Sequence, residues 1–127
     1  MNGAGKTESR NGLGNLTVGY NENRDDIAPD RPEPYCSAGQ YTTESDCLSS
    51  GNIWGANQRS GSHNIIVGSG NDYTQFGSLI GGLHNKSNGG YNLLGGQNNI
   101  ASGLSSSVSG GSMNKANGEN SSVTGGE

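Results

Sequence analysis

The sequence predicts an all-β chain folded as a parallel β-solenoid, or β-roll, with coils of 13–15 residues. Three observations predict it. Glycine pairs at Gly81-Gly82, Gly95-Gly96, Gly110-Gly111 and Gly125-Gly126 recur at spacings of 14, 15 and 15 residues. An aliphatic residue stands two positions before each pair (Leu79, Leu93, Val108, Val123), and asparagine follows the first three pairs at Asn85, Asn99 and Asn114. A further glycine closes each of those units at Gly89, Gly103 and Gly118. Helical hairpins, propeller blades and leucine-rich units all need 20 or more residues, so a period this short fits one coil of two short strands and two tight turns.

Residues 1–23 are read as an N-terminal segment and a first coil. Asn15-Leu16-Thr17-Val18-Gly19 carries the same strand and turn as Asn64-Ile65-Ile66-Val67-Gly68. Residues 24–59 break the pattern and form an insert. They hold all three prolines, both cysteines, the only tryptophan and six of the eleven acidic residues. Coils stack about 4.8 Å apart, so an excursion between two of them must leave and re-enter one edge. The insert is expected to project sideways as a small knob. Residues 60–127 are read as the β-roll proper.

Strand side chains alternate faces, which separates two rows. The row two before the turn glycine is Thr17, Ile66, Leu79, Leu93, Val108 and Val123. It is apolar in all coils but the first, and Ile66, Leu79, Leu93, Val108 and Val123 are the expected coil core. The neighbouring row is Val18, Val67, Ile80, Leu94, Ser109 and Thr124. Its early aliphatic members are expected to face a partner chain. Asn85, Asn99 and Asn114 are read as a structural ladder. Asparagine tolerates left-handed backbone, and stacked amides can bond one another along a fibre.

Composition points the same way. The chain is 28% hydrophobic with 24 glycines among 127 residues, far below the apolar share of an ordinary domain. A lone coil with two inward side chains cannot hold itself together, whereas stacked coils bury one another's faces and several stacks bury more. An oligomer is therefore expected. A disordered Gly/Ser/Asn linker would share this composition but not its fixed-phase repetition. Net charge is −4 and the seven basic residues are scattered, which argues against nucleic acid as a partner. No apolar run approaches the ~20 residues of a membrane span. Met1 to Arg10 lack the apolar core of a signal peptide, so export would depend on a segment outside these residues. The chain stops inside a repeat at Val123-Thr124-Gly125-Gly126-Glu127, and a longer fibre is expected.

Ser106-Ser107-Val108-Ser109-Gly110 and Asn120-Ser121-Ser122-Val123-Thr124-Gly125, with Ala101 and Ala116 between coils, resemble the head repeats of trimeric autotransporter adhesins. The resemblance covers residues 60–127 well and 11–23 loosely, and excludes the insert. It implies a YadA-like β-roll, an obligate homotrimer, intertwined or side by side, on a bacterial surface. Phage fibres carry the same repeat logic.

Few residues invite a chemical role. Cys36 and Cys47 are expected to pair as a disulfide, the obvious use of two cysteines in an exported, core-poor chain. A zinc site would need two further ligands, and His63 and His84 lie in different coils. A redox site would prefer Cys-x-x-Cys. Gly3-Ala4-Gly5-Lys6-Thr7 lacks the first glycine, the strand and the helix of a phosphate loop. The sequons at Asn15, Asn85 and Asn120 are expected by chance in so Asn- and Ser-rich a chain. Asp25, Asp26, Asp30 and Glu33 lack the spacing of a calcium loop and read as a solvated acidic stretch. Tyr35, Tyr41, Ile53 and Trp54 are either the insert's own small core or a binding anchor. Tyr35, Tyr41 and Trp54 are the candidates for surface binding.

The expected function is a non-enzymatic extracellular fibre segment on a cell or virion surface. It would act as scaffold and adhesin, with itself and a host-surface glycan or protein as partners and no cofactor. Alternatives are a phage tail-fibre or tailspike segment and an ice- or crystal-surface binder. The latter would want a Thr-x-Thr row, which the coils lack. A glycan-degrading fibre would need paired carboxylates, and residues 60–127 hold only Asp72, Glu119 and Glu127, far apart.

Overall fold

The computed structural model describes residues 1–24 and 33–127. The chain is mostly β: the described residues form thirteen short elements, of which only α1 (Glu44–Ser49) is helical. Six parallel strands stack as one sheet in chain order: β1 (Leu16–Val18), β4 (Ile65–Ser69), β6 (Leu79–Leu83), β8 (Leu93–Leu94), β10 (Ser107–Val108) and β12 (Ser122–Val123). A second parallel sheet stacks β5 (Asp72–Tyr73), β7 (Lys86–Ser87), β9 (Ile100–Ala101) and β11 (Lys115–Ala116). Each coil thus contributes one strand to each sheet, giving a parallel β-solenoid of about four turns. The antiparallel pair β2 (Tyr35–Cys36) and β3 (Trp54–Gly55) stands apart, within the insert.

Register fixes which side chains point inward. Thr17, Ile66, Ile80, Leu94, Val108 and Val123 align as one row. Ile66, Ile80, Leu94 and Val108 are buried, and pack in the interior with Tyr73 and Ala101. Small residues face the aliphatic row across the coil, because Ser87, Ala101 and Ala116 are the inward residues of β7, β9 and β11. One aliphatic and one small side chain fill a cross-section this narrow.

Ile66 and Val108 stand inside as expected, and Val123 is half-buried at the last coil. Leu79 and Leu93 do not. They are 46% and 45% exposed, while Ile80 and Leu94 are 0% and 1% exposed. The reason is one extra residue. Gly68, Gly82, Gly96, Gly111 and Gly126 form the stacked turn row. A single residue separates Leu94 from Gly96, whereas Ser109 and Gly110 both lie between Val108 and Gly111. Counting back from the glycine pairs therefore slips the early coils by one residue, which turns a strand over. The same slip overturns the assignment of Ile80 and Leu94 to an outward row, although Val18 and Val67 do face outward.

The turn row requires glycine. Gly82 has φ +115°, and a Cβ there would lie 2.0 Å from the carbonyl oxygen of Gly96 in the next coil. Beside it runs the asparagine row, Asn21, Asn71, Asn85, Asn99 and Asn114. Each Oδ1 accepts from the backbone N–H of the next asparagine, at 2.7 to 3.0 Å. Each Nδ2 donates to carbonyls: that of Asn99 reaches Gly95 at 2.7 Å and Gly111 at 3.0 Å. The ladder is amide-to-backbone, where amide-to-amide bonding is the sequence expectation. A second ladder of the same kind climbs another corner through Asn15, Asn64, Ser78, Asn92 and Ser106. The two rows satisfy backbone groups that a tight corner would otherwise bury unpaired.

The N-terminal segment packs on the early coils. The His63 ring accepts from the Asn2 N–H at Nε2 and donates from Nδ1 to the Thr7 carbonyl.

Candidate functional site

The site is built where the insert meets the four-stranded sheet. On the insert side, Cys36 and Cys47 form a disulfide with Cα atoms 5.7 Å apart. The bond ties β2 to α1, whose first turn is capped by the Thr43 hydroxyl accepting from the Asp46 N–H. Cys36, Ala38 and Cys47 form a small buried cluster, with Tyr41 and Trp54 packed half-buried against it. The two aromatics are both the edge of the insert's core and part of its surface.

On the solenoid side, the outward positions of successive strands are Asp72, Lys86, Ile100 and Lys115. Tyr35 lies over the first two. Its hydroxyl donates to Asp72 Oδ2 at 2.9 Å, and Lys86 Nζ sits 3.9 Å from its ring centroid. Gln58 Nε2 holds the Tyr35 carbonyl at 2.8 Å. Further along, the Gly39 N–H donates to the Asn88 carbonyl at 2.9 Å, and Asn88 Nδ2 to the Cys36 carbonyl at 3.3 Å. A Cβ on Gly39 would fall 2.5 Å from the Ser102 carbonyl oxygen, so the close approach needs glycine. Thr74 Oγ1 and Gln75 Nε2 both donate to the Ser37 carbonyl. The insert therefore lies docked along the sheet where a sideways-projecting knob is the sequence expectation. The reason is that Asp72, Thr74 and Asn88 offer polar groups that the insert's backbone and Tyr35 satisfy.

Docking shifts the charges. Burial pushes the Tyr35 hydroxyl well above its usual range, with the Asp72 carboxylate adding to it. Burial also raises the Asp72 carboxyl, against the pull of the Tyr35 bond and the cations Arg24, Arg59 and Lys86. Asp72 Oδ1 is buried with no hydrogen-bond partner among the described residues. Lys86 is lowered to about 8, first by burial and then by the Arg24 charge, against the pull of Asp72.

Beyond Tyr35 the insert and sheet diverge into a groove of about 460 Å³. Tyr41 and Trp54 line one wall, and Lys86, Ile100 and Lys115 belong to the other. Asn88, Ser102 and Asn117 also line it, spaced 14 and 15 residues apart as equivalents in successive coils.

The candidate residues thus separate. All three line the groove, Tyr41 and Trp54 as half-buried surface and Tyr35 as the buried anchor at its inner end. Lys86 and Lys115 went unnoticed in the sequence because their common row appears only once the coils are in register. His63 and His84 take positive φ at turns, +59° and +56°. Asp25, Asp26 and Asp30 lie outside the described residues, and Glu33 is exposed. Among the described residues no three His, Cys, Asp or Glu side chains converge to hold a metal ion, and no helix is long and apolar enough to cross a membrane. Comparison with protein-family models, curated proteins and solved structures returns no match.

Proposed function

We propose that this chain is a non-enzymatic segment of an extracellular surface fibre. It is a homotrimer, of the kind formed by trimeric autotransporter heads, that carries the disulfide-stapled insert for attachment. One observation carries the assembly. On the outer face of the six-stranded sheet, Leu16, Ile65, Leu79 and Leu93 form an exposed aliphatic row, flanked by Val18 and Val67. Contiguous apolar surface of this sort marks an interface. In the later coils the same row becomes Ser107 and Ser122, hydrogen-bonded to each other at 3.1 Å. The apolar face is therefore confined to the early coils, and there a second and third copy of this chain would seat.

Attachment is supported by the groove, whose half-buried aromatics are locked to the disulfide cluster and so lose little freedom on binding. Light scattering tests the assembly: the folded chain should weigh about three times 13.0 kDa. Leu79→Asp, on the outer face, should yield a monomer that keeps its β signal. A folded wild-type monomer at micromolar concentration would end this reading.

A further inference from the structure

We propose that the groove between the insert and the four-stranded sheet binds an acidic oligosaccharide, stacked on Trp54 and Tyr41 and paired through its acid groups with Lys86 and Lys115. The inference rests on the insert being an attachment element, and it names the ligand class.

Charge placement comes first. The chain is acidic, with eleven acidic and seven basic residues, yet two of the seven stand in one outward row two coils apart. At about 4.8 Å per coil their backbones are separated by about 10 Å. That is the length of a disaccharide, and it matches a polymer with one acid per two sugars. Ile100 fills the position between them, which suits the apolar face of the intervening neutral sugar. Lys86 is held over the Tyr35 ring and carries the cost of its burial, which an anion in the groove would relieve.

The opposite wall has the complementary character. Indole and phenol rings present flat apolar faces with a polar edge, suited to a sugar ring whose hydroxyls point sideways. Asn88, Ser102 and Asn117 lie one coil apart along the groove; Ser102 Oγ donates to Asn88 Oδ1 at 2.8 Å and Asn88 Nδ2 to the Cys36 carbonyl, so it is the exposed Asn117 amide that is placed for those hydroxyls. An acidic peptide would be the rival occupant. Peptides gain their main-chain bonds by adding to a free strand edge. Here the wall is the side-chain face of β7, β9 and β11; β7 and β9 are paired on both edges, and the one open edge, that of β11, lies at the end of the stack rather than along the groove.

Trp54 is the single tryptophan, so its emission reports on this groove alone. The intact protein is titrated with a hexasaccharide of alternating uronic acid and N-acetylhexosamine, its carboxyl-reduced form, and hexaglutamate. The acidic hexasaccharide should give a saturable change in emission. The carboxyl-reduced sugar and hexaglutamate should each bind at least tenfold more weakly. Lys115→Ala, at an exposed position, should weaken the acidic sugar about tenfold with an unchanged circular dichroism spectrum. Tyr41→Ala should weaken both sugars. No saturable change with the acidic sugar overturns the proposal. So does equal binding by the reduced sugar or hexaglutamate, or an unaltered Lys115→Ala. Light scattering on the same samples separates the two readings. A trimer that ignores the sugar sinks only the ligand class, and a monomer sinks the assembly.

Discussion

Leu93 and Leu94 are adjacent and chemically identical, yet the fold assigns them opposite work. Leu94 is 1% exposed and stacks in the interior between Ile80 of the coil before and Val108 of the coil after. Its truncation to alanine opens a cavity that the neighbours cannot fill, because backbone ladders hold the coils at a fixed spacing. Leu→Ala at such a site costs about 2–5 kcal/mol, and the rigid spacing places this one in the upper half. Leu93 is 45% exposed in the single chain. Truncating it removes only about half a buried side chain, about 1 kcal/mol.

The assay is denaturant unfolding of both variants, followed by far-ultraviolet circular dichroism over a hundredfold range of protein concentration. Leu94→Ala should lower stability by a similar amount throughout the range. Leu93→Ala should do little when dilute and progressively more when concentrated, since its row faces the proposed partner chains and association stabilises by mass action. Equal losses for the two variants in dilute solution would refute the phase assignment. A loss at Leu93 that ignores concentration would refute its place in an interface.

Three other outcomes follow from the same geometry. Gly82→Ala should prevent folding of the central coils or cost several kcal/mol, because its Cβ would meet the Gly96 carbonyl oxygen at 2.0 Å on top of the left-handed strain; the control Gly81→Ala, where a Cβ meets nothing within 4 Å, should melt like wild type. Asn99→Ala strips the partners from the Asn114 N–H and the Gly95 carbonyl, while the Gly111 carbonyl keeps the Gln97 N–H, and at about 1–3 kcal/mol per stranded group this should lower the melting temperature far more than Ser107→Ala on the outer face. Asp72 has a raised folded pKa, so its contribution to insert docking is full below the ordinary carboxylate range and is lost as pH rises through the raised value. Near-ultraviolet melts of the Trp54 signal should show docking weakening from pH 4 to 7. Asp72→Asn, which still accepts from Tyr35, should abolish that trend and separate it from Glu22, whose lowered pKa acts in the opposite sense; a wild-type trend that survives the substitution would contradict the assignment.

The solenoid was legible because its signal is periodic and local. Gly82, Asn85 and Ala101 recur in every later coil at positions where only their chemistry fits a tight corner or a narrow interior. The phase of the strands was not legible, since Ser109-Gly110 adds its extra residue inside a Gly/Ser tract that looks the same in either register. Period-2 alternation gives no warning of such a slip when both rows are aliphatic, as at Leu79-Ile80 and Leu93-Leu94. The groove was hidden for a different reason. Trp54 and Tyr41 belong to the insert and Lys86 and Lys115 to separate coils, so only the docking of Tyr35 onto Asp72 brings them together.

That docking also explains how so apolar-poor a chain sustains a fold. The interior holds little beyond Ile66, Tyr73, Ile80, Leu94 and Val108, and burial of that size does not order a chain this long by itself. What replaces a larger core is repetition of polar satisfaction. Two corner ladders, through Asn85 and through Asn64, return backbone donors and acceptors to partners at every coil. Such a device works only when the coils stack in register, because each asparagine serves its neighbour's backbone as well as its own. The cooperative unit is therefore the stack. The insert joins that unit through the same chemistry, as Asn88 and Thr74 bond the carbonyls of Cys36 and Ser37. Replacing Asn88 with a larger apolar side chain would add buried area and still loosen the protein, since the Cys36 carbonyl loses its side-chain donor, whereas the Ser37 carbonyl keeps Gln75 when Thr74 is replaced.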